Sequence, residues 1–167
     1  MLAIGIDPGT AITGVGLVEM HADGSIHSPH WSVIRTVANS PLPERLEIIH
    51  RELTELLDKF HPETSAVESL FFSRNVRTAM SVGQARGVVL LALQQASIPI
   101  TDYPPNEIKQ GITGNGAADK QQVQMMVRSL LDLDETPQPD DAADALGVAI
   151  YHLQRAQFAK IAEASST

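Results

Sequence analysis

The sequence predicts an α/β fold, with one mixed sheet of five strands flanked by helices. Three apolar segments rich in β-branched residues come first, and Asp23-Gly24 is typical of a hairpin turn between the last two. Two later strands alternate with helices, and strands separated by helices usually run parallel. We therefore expect three antiparallel strands followed by two parallel ones. The predicted strands comprise residues 2–6, 10–20, 26–36, 64–67 and 98–102.

Each element has its own signal. In residues 42–60 the apolar side chains recur at helical spacing, Pro43 suits the first turn, and His61-Pro62 ends the helix. Pro29 lies inside the third strand, which predicts an edge strand or a bulge. Further helices are predicted over 75–96, after a cap at Asp119, and after Pro137 and Pro139. The glycine-rich segment 111–118 is predicted to be a mobile loop.

The length and composition limit the class of protein. With 167 residues, 43% of them hydrophobic, the chain can form one domain with a real core. We expect that domain to span residues 1–158 and the tail 159–167 to be disordered. The absence of cysteine excludes disulfides, zinc-thiolate sites and cysteine nucleophiles. Neither a signal peptide nor a membrane span is predicted, so we expect a cytoplasmic protein.

The charge distribution is uneven. The net charge of -8 argues against nucleic acid coating the whole surface, because phosphates repel an acidic protein. Residues 71–128, however, contain six basic and three acidic side chains. Any anion-binding face is expected to come from this segment.

Acidic residues coincide with the ends of predicted elements. Asp7 follows the first strand, Glu68 follows the fourth, and Asp141 and Asp144 begin the last helix. Two residues three apart on a helix lie about 60° apart around its axis, so these two point the same way. If the first and fourth strands are neighbours, all four carboxylates can converge at one end of the sheet.

Such a group of carboxylates needs cations, since the four charges would otherwise repel one another. Oxygen ligands favour hard ions such as Mg²⁺ or Mn²⁺. Two such ions about 4 Å apart are the usual arrangement for in-line displacement at phosphorus, where one activates water and the other stabilises the departing oxygen. The acids therefore predict phosphodiester chemistry.

Each acid also has a purely structural interpretation. Asp7 before Pro-Gly is an adequate turn residue, and acids at a helix start interact favourably with the helix dipole. We keep that interpretation for Asp140, as a cap or surface residue. Caps and turns explain the joint placement of Asp7, Glu68, Asp141 and Asp144 less well.

Five motifs resemble those of one known family and occur in the same order. They are IGIDPGT from Ile4, VESLFFSRN from Val67, GQARGVV from Gly83, KQGITGNGAADKQQVQ from Lys109 and DAADALGVA from Asp141. Together they resemble the RuvC family of bacterial Holliday junction resolvases, in the RNase H-like superfamily. The first motif alone is weak evidence, whereas the set of five is highly specific and covers nearly the whole chain.

The resemblance implies a homodimeric crossover junction endodeoxyribonuclease that acts in DNA recombination and repair. It would cut two opposed strands of a four-way junction, with Mg²⁺ as cofactor, two ions per site, and Mn²⁺ as a possible substitute. The four catalytic and metal-binding acids of the family match Asp7, Glu68, Asp141 and Asp144. Some members carry histidine where this chain has Asp141. A branch-migration motor of the RuvA–RuvB type is the implied partner.

The resemblance also implies DNA contacts and a dimer interface. Lys109 and Lys120 match basic DNA-contacting positions, and Phe71 matches an aromatic residue near the junction crossover. Arg74 lies in the same motif and in the basic segment, and we expect it to contact DNA as well. The aromatic pair at 71–72 fits either the core or a contact in which one ring stacks on a base.

Two small residues in the predicted helix 75–96 leave an alternative open. Gly83 and Gly87 are four residues apart, which allows close helix approach within the subunit or across a dimer. The six histidines show no ligand spacing with the four acids, and we expect most of them to face solvent or cap helices.

Two other functions compete with a nuclease. IGIDPGT also looks like the first phosphate-binding loop of actin-like ATPases and sugar kinases, which need a second such domain that this length does not accommodate. A non-catalytic DNA-binding module with the same fold is the other possibility. A degenerate member should have lost acids, whereas this chain retains all four positions.

Overall fold

The structure, a computed structural model, describes residues 1–69 and 76–164. The strands are β1 Leu2–Asp7, β2 Ile12–Met20, β3 Ile26–Arg35, β4 Thr64–Glu68 and β5 Ile100–Tyr103. The helices are α1 Leu42–Phe60, α2 Val76–Gln95, α3 Pro105–Thr113, α4 Lys120–Leu130 and α5 Asp140–Ala164.

The five strands form one mixed sheet in the order β3-β2-β1-β4-β5. β1 pairs antiparallel with β2, and β2 pairs antiparallel with β3. β4 pairs parallel with β1 and with β5, which confirms the predicted fold class. Because Ile6 lies opposite Val67, the next residues of the two strands, Asp7 and Glu68, emerge side by side.

The outer strand β3 confirms the interpretation of Pro29. This proline lies in an edge strand, where a missing backbone donor costs least. The β2–β3 register shifts between Leu17 and Glu19, as at a β-bulge.

Helices cover both faces of the sheet. Alternate residues of β1 face opposite layers, so Ile4 and Ile6 pack with the core under α1 and α2, while Ala3 packs with α3, α4 and α5. Ile49, Leu53 and other buried apolar residues of the first layer are almost fully excluded from solvent. The central strands are therefore buried on both sides.

Three glycines bring α5 unusually close to the sheet. A methyl group on Gly5, Gly14 or Gly16 would overlap the backbone of α5. Gly14 is the partner of Asp7 across the β1–β2 pair, and its missing side chain leaves room for the carbonyl of Asp141. The close approach holds the start of α5 over the end of β1.

The structure corrects two predicted segments. Helix α3 occupies part of the predicted loop, so that residues 114–119 alone link α3 to α4. Pro104 and Pro105 end the strand but also begin a helix, at its N-cap and first position, and Gly114 ends it with φ 74°. Helix α5 continues to Ala164, beyond the predicted domain end at 158, because residues 159–164 are mostly the helix formers Ala, Lys and Glu. None of the helices in the described ranges has the length and apolarity needed to cross a membrane.

Candidate active site

The site begins with two carboxyl groups at the ends of neighbouring strands. Asp7 ends β1, Glu68 ends β4, and their side chains are hydrogen-bonded to each other. Burial, and to a smaller extent the charge of Asp7, raises the pKa of Glu68 to about 8. Burial, and to a smaller extent the charge of Asp144, raises the pKa of Asp7 to about 6. At neutral pH Glu68 therefore holds the proton and donates it to the Asp7 carboxylate.

The other two acids lie near the start of α5, Asp141 in its first turn and Asp144 one turn later. The charges of Asp144 and Asp141 both disfavour ionisation of Asp7, and the charge of Asp144 also disfavours ionisation of Glu68, as expected for neighbouring carboxylates. Burial raises the pKa of Asp144, with only 24% of its side chain exposed, although Lys120 opposes the shift. The structure thus brings the four predicted acids into one electrostatically coupled group.

Both predicted lysines line this group. A cavity of about 200 Å³ is lined by Glu68, Asp144, Lys109 and Lys120. The ammonium of Lys120 lies 3.4 Å from Asp144 Oδ2 and 4.0 Å from Asp140 Oδ2, and Asp144 raises its pKa. The charge of Lys109 lowers the pKa of Glu68, against the larger effect of burial.

Capping places Lys120 beside the acids. Asp119 accepts a 2.9 Å hydrogen bond from the backbone N–H of Gln122, and the Gln122 side chain accepts one from the backbone of Asp119. This capping box starts α4 at Lys120, as predicted. Asp140 accepts a 2.8 Å hydrogen bond from Gln124, so it ties α4 to α5 rather than facing the other carboxyls.

A second cavity, of about 360 Å³, lies beside Asp141. It is lined by the loop after β1, including Thr10, and by the guanidinium-bearing Arg45 of α1. Arg45 donates a 2.7 Å hydrogen bond to Thr36, which fixes its position. Sequence reasoning did not single out Arg45, because only folding brings the start of α1 next to that of α5.

The arrangement fits a divalent cation. Asp7, Glu68 and Asp144 are largely buried, carry raised pKa values and offer only oxygen ligands. A cation in place of the shared proton would relieve their mutual repulsion, and Mg²⁺ and Mn²⁺ prefer such oxygens. Although the charges of the four acids affect one another, no three of their carboxylate oxygens, one from each of three residues, all lie within 4.8 Å of one another in the described structure. Among the described residues, the three ligand atoms that all lie within 4.8 Å of one another belong to Glu19, His21 and His27.

Comparison with known proteins identifies the family. The model of the family described as crossover junction endodeoxyribonuclease RuvC matches residues 3–152. The chain belongs to the RuvC family. It is 51% identical over 152 residues to the RuvC of Desulfitobacterium hafniense (strain DSM 10664 / DCB-2), covering 91% of this chain and 92% of that one. The Syntrophomonas wolfei RuvC is 46% identical over 167 residues, covering 100% and 96%.

Solved structures agree on the fold. The Thermus thermophilus RuvC in complex with Holliday junction substrate has a TM-score of 0.86 and 37% identity, and covers 95% of this chain and 96% of that one. The yeast mitochondrial Holliday junction resolvase Ydc2 shares the fold, with a TM-score of 0.63 and 16% identity, and covers 89% and 76%. The RNase H-like prediction is confirmed, and RuvC membership replaces the actin-like ATPase interpretation of IGIDPGT.

Two other basic residues of the segment make contacts within the fold. Within the basic segment of this RuvC chain, Arg86 forms a 2.7 Å ion pair with Asp102, and Arg128 donates hydrogen bonds to two backbone carbonyls after α4. These two arginines therefore support the fold. Phe71 and Arg74 lie outside the described residues, so their predicted DNA contacts stay predictions.

The helix predicted to form a dimer presents an open outer face. Among the residues that the structure describes, none has an atom within 4 Å of where a methyl group on Gly87 would project. Met80 and Leu91, on the same helical face, are 65% and 50% exposed. Gly83 is only half-buried, next to this face. The close-packing alternative within the subunit is therefore not needed to explain Gly87.

The histidines differ in part from expectation. His61 caps α1 at φ 48° and His50 lies at the surface, as predicted. His152 is buried instead, between the hydroxyls of Thr64 and Tyr103 at 2.8 and 3.0 Å, and burial lowers its pKa. Its neighbours come from distant parts of the chain, so sequence spacing gave no sign of this contact.

Proposed function

We propose that this chain resolves four-way DNA junctions by hydrolysing phosphodiester bonds in two opposed strands. The observation that carries the proposal is the coupled group of Asp7, Glu68, Asp141 and Asp144, in a chain of the RuvC family. Its curated relatives are named crossover junction endodeoxyribonucleases, and one of the similar solved structures contains a Holliday junction substrate. The substrate is a branched DNA, and the reaction is hydrolysis.

The four acids would hold two Mg²⁺ ions, with Mn²⁺ as a possible substitute. Bound there, the ions would supply an activated water and stabilise the leaving 3'-oxygen. Glu68 must give up its proton before it can act as a ligand, so ion binding and cutting increase as the pH approaches its pKa of about 8. Asp7 has the lower pKa, about 6, and accepts the hydrogen bond from Glu68.

The two lysines position the DNA backbone. Lys120 neutralises part of the charge of Asp144 in the metal-free protein, and its side chain is 61% exposed. Once cations balance the charge of Asp144, the ammonium group of Lys120 is free to contact a phosphate. Lys109 lines the same cavity as Lys120 and Glu68. Together they place positive charge beside an acidic site, which offsets the repulsion that the net charge of -8 would exert on DNA.

We further propose a two-fold dimer formed through α2. Paired cuts need two sites that face the same side of the junction, and a two-fold axis provides them. The exposed apolar side chains of Met80 and Leu91, with Gly87 between them, support a contact between identical helices. Gly83, at the margin of this face, would come close to the partner. The partnership with a RuvA–RuvB motor and the cytoplasmic location stay predictions.

A synthetic junction labelled in turn on each strand tests the function. We expect Mg²⁺ to support cuts at symmetric positions in two opposed strands, and we expect a linear duplex of the same sequence to remain intact. Cutting in the presence of a chelator, or equal cutting of junction and duplex, would contradict the proposal. Asp140→Asn is the matched control, since Asp140 lies beside the four acids but bonds to Gln124.

A further inference from the structure

A second group of ligand-type side chains lies at the end of the β2–β3 hairpin. Glu19 is in β2, His21 follows that strand, and His27 is in β3. One ligand atom from each of the three residues lies within 4.8 Å of the other two. The resolvase mechanism proposed above makes no use of these side chains.

The hairpin places the three residues on one face. Glu19 and His27 are direct partners in the antiparallel register, and His21 is two residues beyond Glu19, which returns to the same side of a strand. The backbone N–H of His21 donates a 2.9 Å hydrogen bond to the carbonyl of Ser25, and Asp23 accepts hydrogen bonds from both the backbone and the hydroxyl of Ser25. The turn is thus fixed by its own hydrogen bonds.

The two imidazole rings already point nitrogen atoms at each other. His21 Nε2 and His27 Nδ1 are 3.0 Å apart, so one of them carries a proton and donates it to the other. The rings are nearly parallel, at 8°. The other nitrogen of His27, Nε2, lies 3.5 Å from Glu19 Oε2. Two nitrogens that bind the same tetrahedral zinc ion at about 2.0–2.1 Å are about 3.3 Å apart. A metal ion can therefore replace the proton between the rings with a small side-chain movement.

We propose that Glu19, His21 and His27 bind a first-row transition metal ion of the Zn²⁺ type, with water completing its coordination. Imidazole nitrogens suit Zn²⁺, Ni²⁺ and Cu²⁺, whereas Mg²⁺ prefers oxygen ligands. This site therefore selects a different metal from the four acids. The side chains of His27 and Glu19 are 45% and 41% exposed, so the ion can enter from solvent and the ligands can adjust.

The position of the site predicts its effect. Glu19 pairs with Leu2, whereas Asp7 pairs with Gly14, so the two groups are separated by five residue steps along the sheet, or about 17 Å. β3 is an edge strand, and its pairing with β2 shifts register between Leu17 and Glu19. An ion bound by residues of both strands would hold the end of β3 against β2. Metal binding at the hairpin should stabilise the folded protein and leave DNA cutting unchanged.

Calorimetric titration with Zn²⁺, in a large excess of Mg²⁺, tests the proposal. We expect the wild-type protein to bind one equivalent, and His21→Gln and His27→Gln to weaken that binding by more than about tenfold. Co²⁺ provides a second probe, because its visible absorption reports nitrogen ligation. His50→Gln, at a half-buried histidine remote from the hairpin, and Asp7→Asn, which removes an acid of the other site, should both retain the equivalent of Zn²⁺.

The same variants show whether a lost signal is due to unfolding. His21→Gln and His27→Gln should cut junctions at the wild-type rate in Mg²⁺, and Zn²⁺ should raise the melting temperature of the wild type but not of either variant. Zn²⁺ binding that is unchanged in both histidine variants would overturn the proposal. So would binding that disappears in Asp7→Asn, or a wild-type protein that binds no Zn²⁺ at concentrations up to 100-fold above its own.

Discussion

Replacing Glu68 with glutamine should stabilise the metal-free protein at alkaline pH. The pKa of Glu68 rises from 4.5 to about 8 in the folded state, so between these values the folded protein binds more protons than the unfolded chain. The stability of the wild type must therefore fall as the pH rises through this window. At pH 7, a difference of 2.5 pH units from 4.5 at 1.36 kcal/mol each corresponds to about 3 kcal/mol. Glutamine removes this cost, because it stays neutral at every pH.

Urea unfolding in a chelator, at pH values from 5 to 8, measures the effect. We expect the two proteins to have similar stability near pH 5 and the variant to be more stable by about 3 kcal/mol at pH 7, with a larger difference at pH 8. Glu135→Gln, a change at an exposed acid, should leave the pH dependence of the wild type unaltered. A variant whose stability changes with pH as steeply as that of the wild type would show that Glu68 is not held protonated. Excess Mg²⁺ should remove the advantage, since it stabilises the wild type preferentially.

Five further substitutions test the site and its support. Asp7→Asn should abolish cutting while junction affinity, measured by gel shift, stays the same or increases, because one charge that repels phosphate is lost. Lys109→Ala and Lys120→Ala should each lower the slope of log K against log salt by up to about one per lost phosphate contact, and an unchanged slope would mean that the lysine does not touch phosphate. Gly14→Ala should cost about 1–3 kcal/mol in chemical denaturation and slow cutting, because its methyl group pushes α5 away from β1. Gly83→Glu should split the dimer in sedimentation at micromolar concentration, whereas paired cutting by a monomer would show that α2 is not the working interface.

The sequence was most informative where a signal was local and periodic. The recurring apolar residues of α1 gave its bounds, and Pro29 correctly indicated an edge strand, because both depend on near neighbours. Helix α3 was missed, since a pair of prolines both ends a strand and starts a helix. The four acids could be found because Asp7 and Glu68 follow strands that the topology makes adjacent.

The other parts of the site depend on tertiary neighbours. Spacing along the chain could not reveal that Arg45 lines a cavity beside Asp141, or that His152 is buried between two hydroxyls. The pairing of His21 and His27 with Glu19 depends on the register of a hairpin, which the sequence indicates only through its turn. The roles of Lys109 and Lys120 came from family resemblance, and the structure places both beside the acids.

The rate of junction cutting by acid-to-amide variants tests the central claim most directly. In single-turnover reactions with Mg²⁺, we expect Asp141→Asn and Asp144→Asn to abolish cutting, and the double variant to be no worse than either within the limits of the assay, because the acids act as one unit. Asp140→Asn, next to them on α5, should cut at close to the wild-type rate. A double variant of Asp141 and Asp144 that cuts opposed strands as fast as the wild type would contradict the four-acid site.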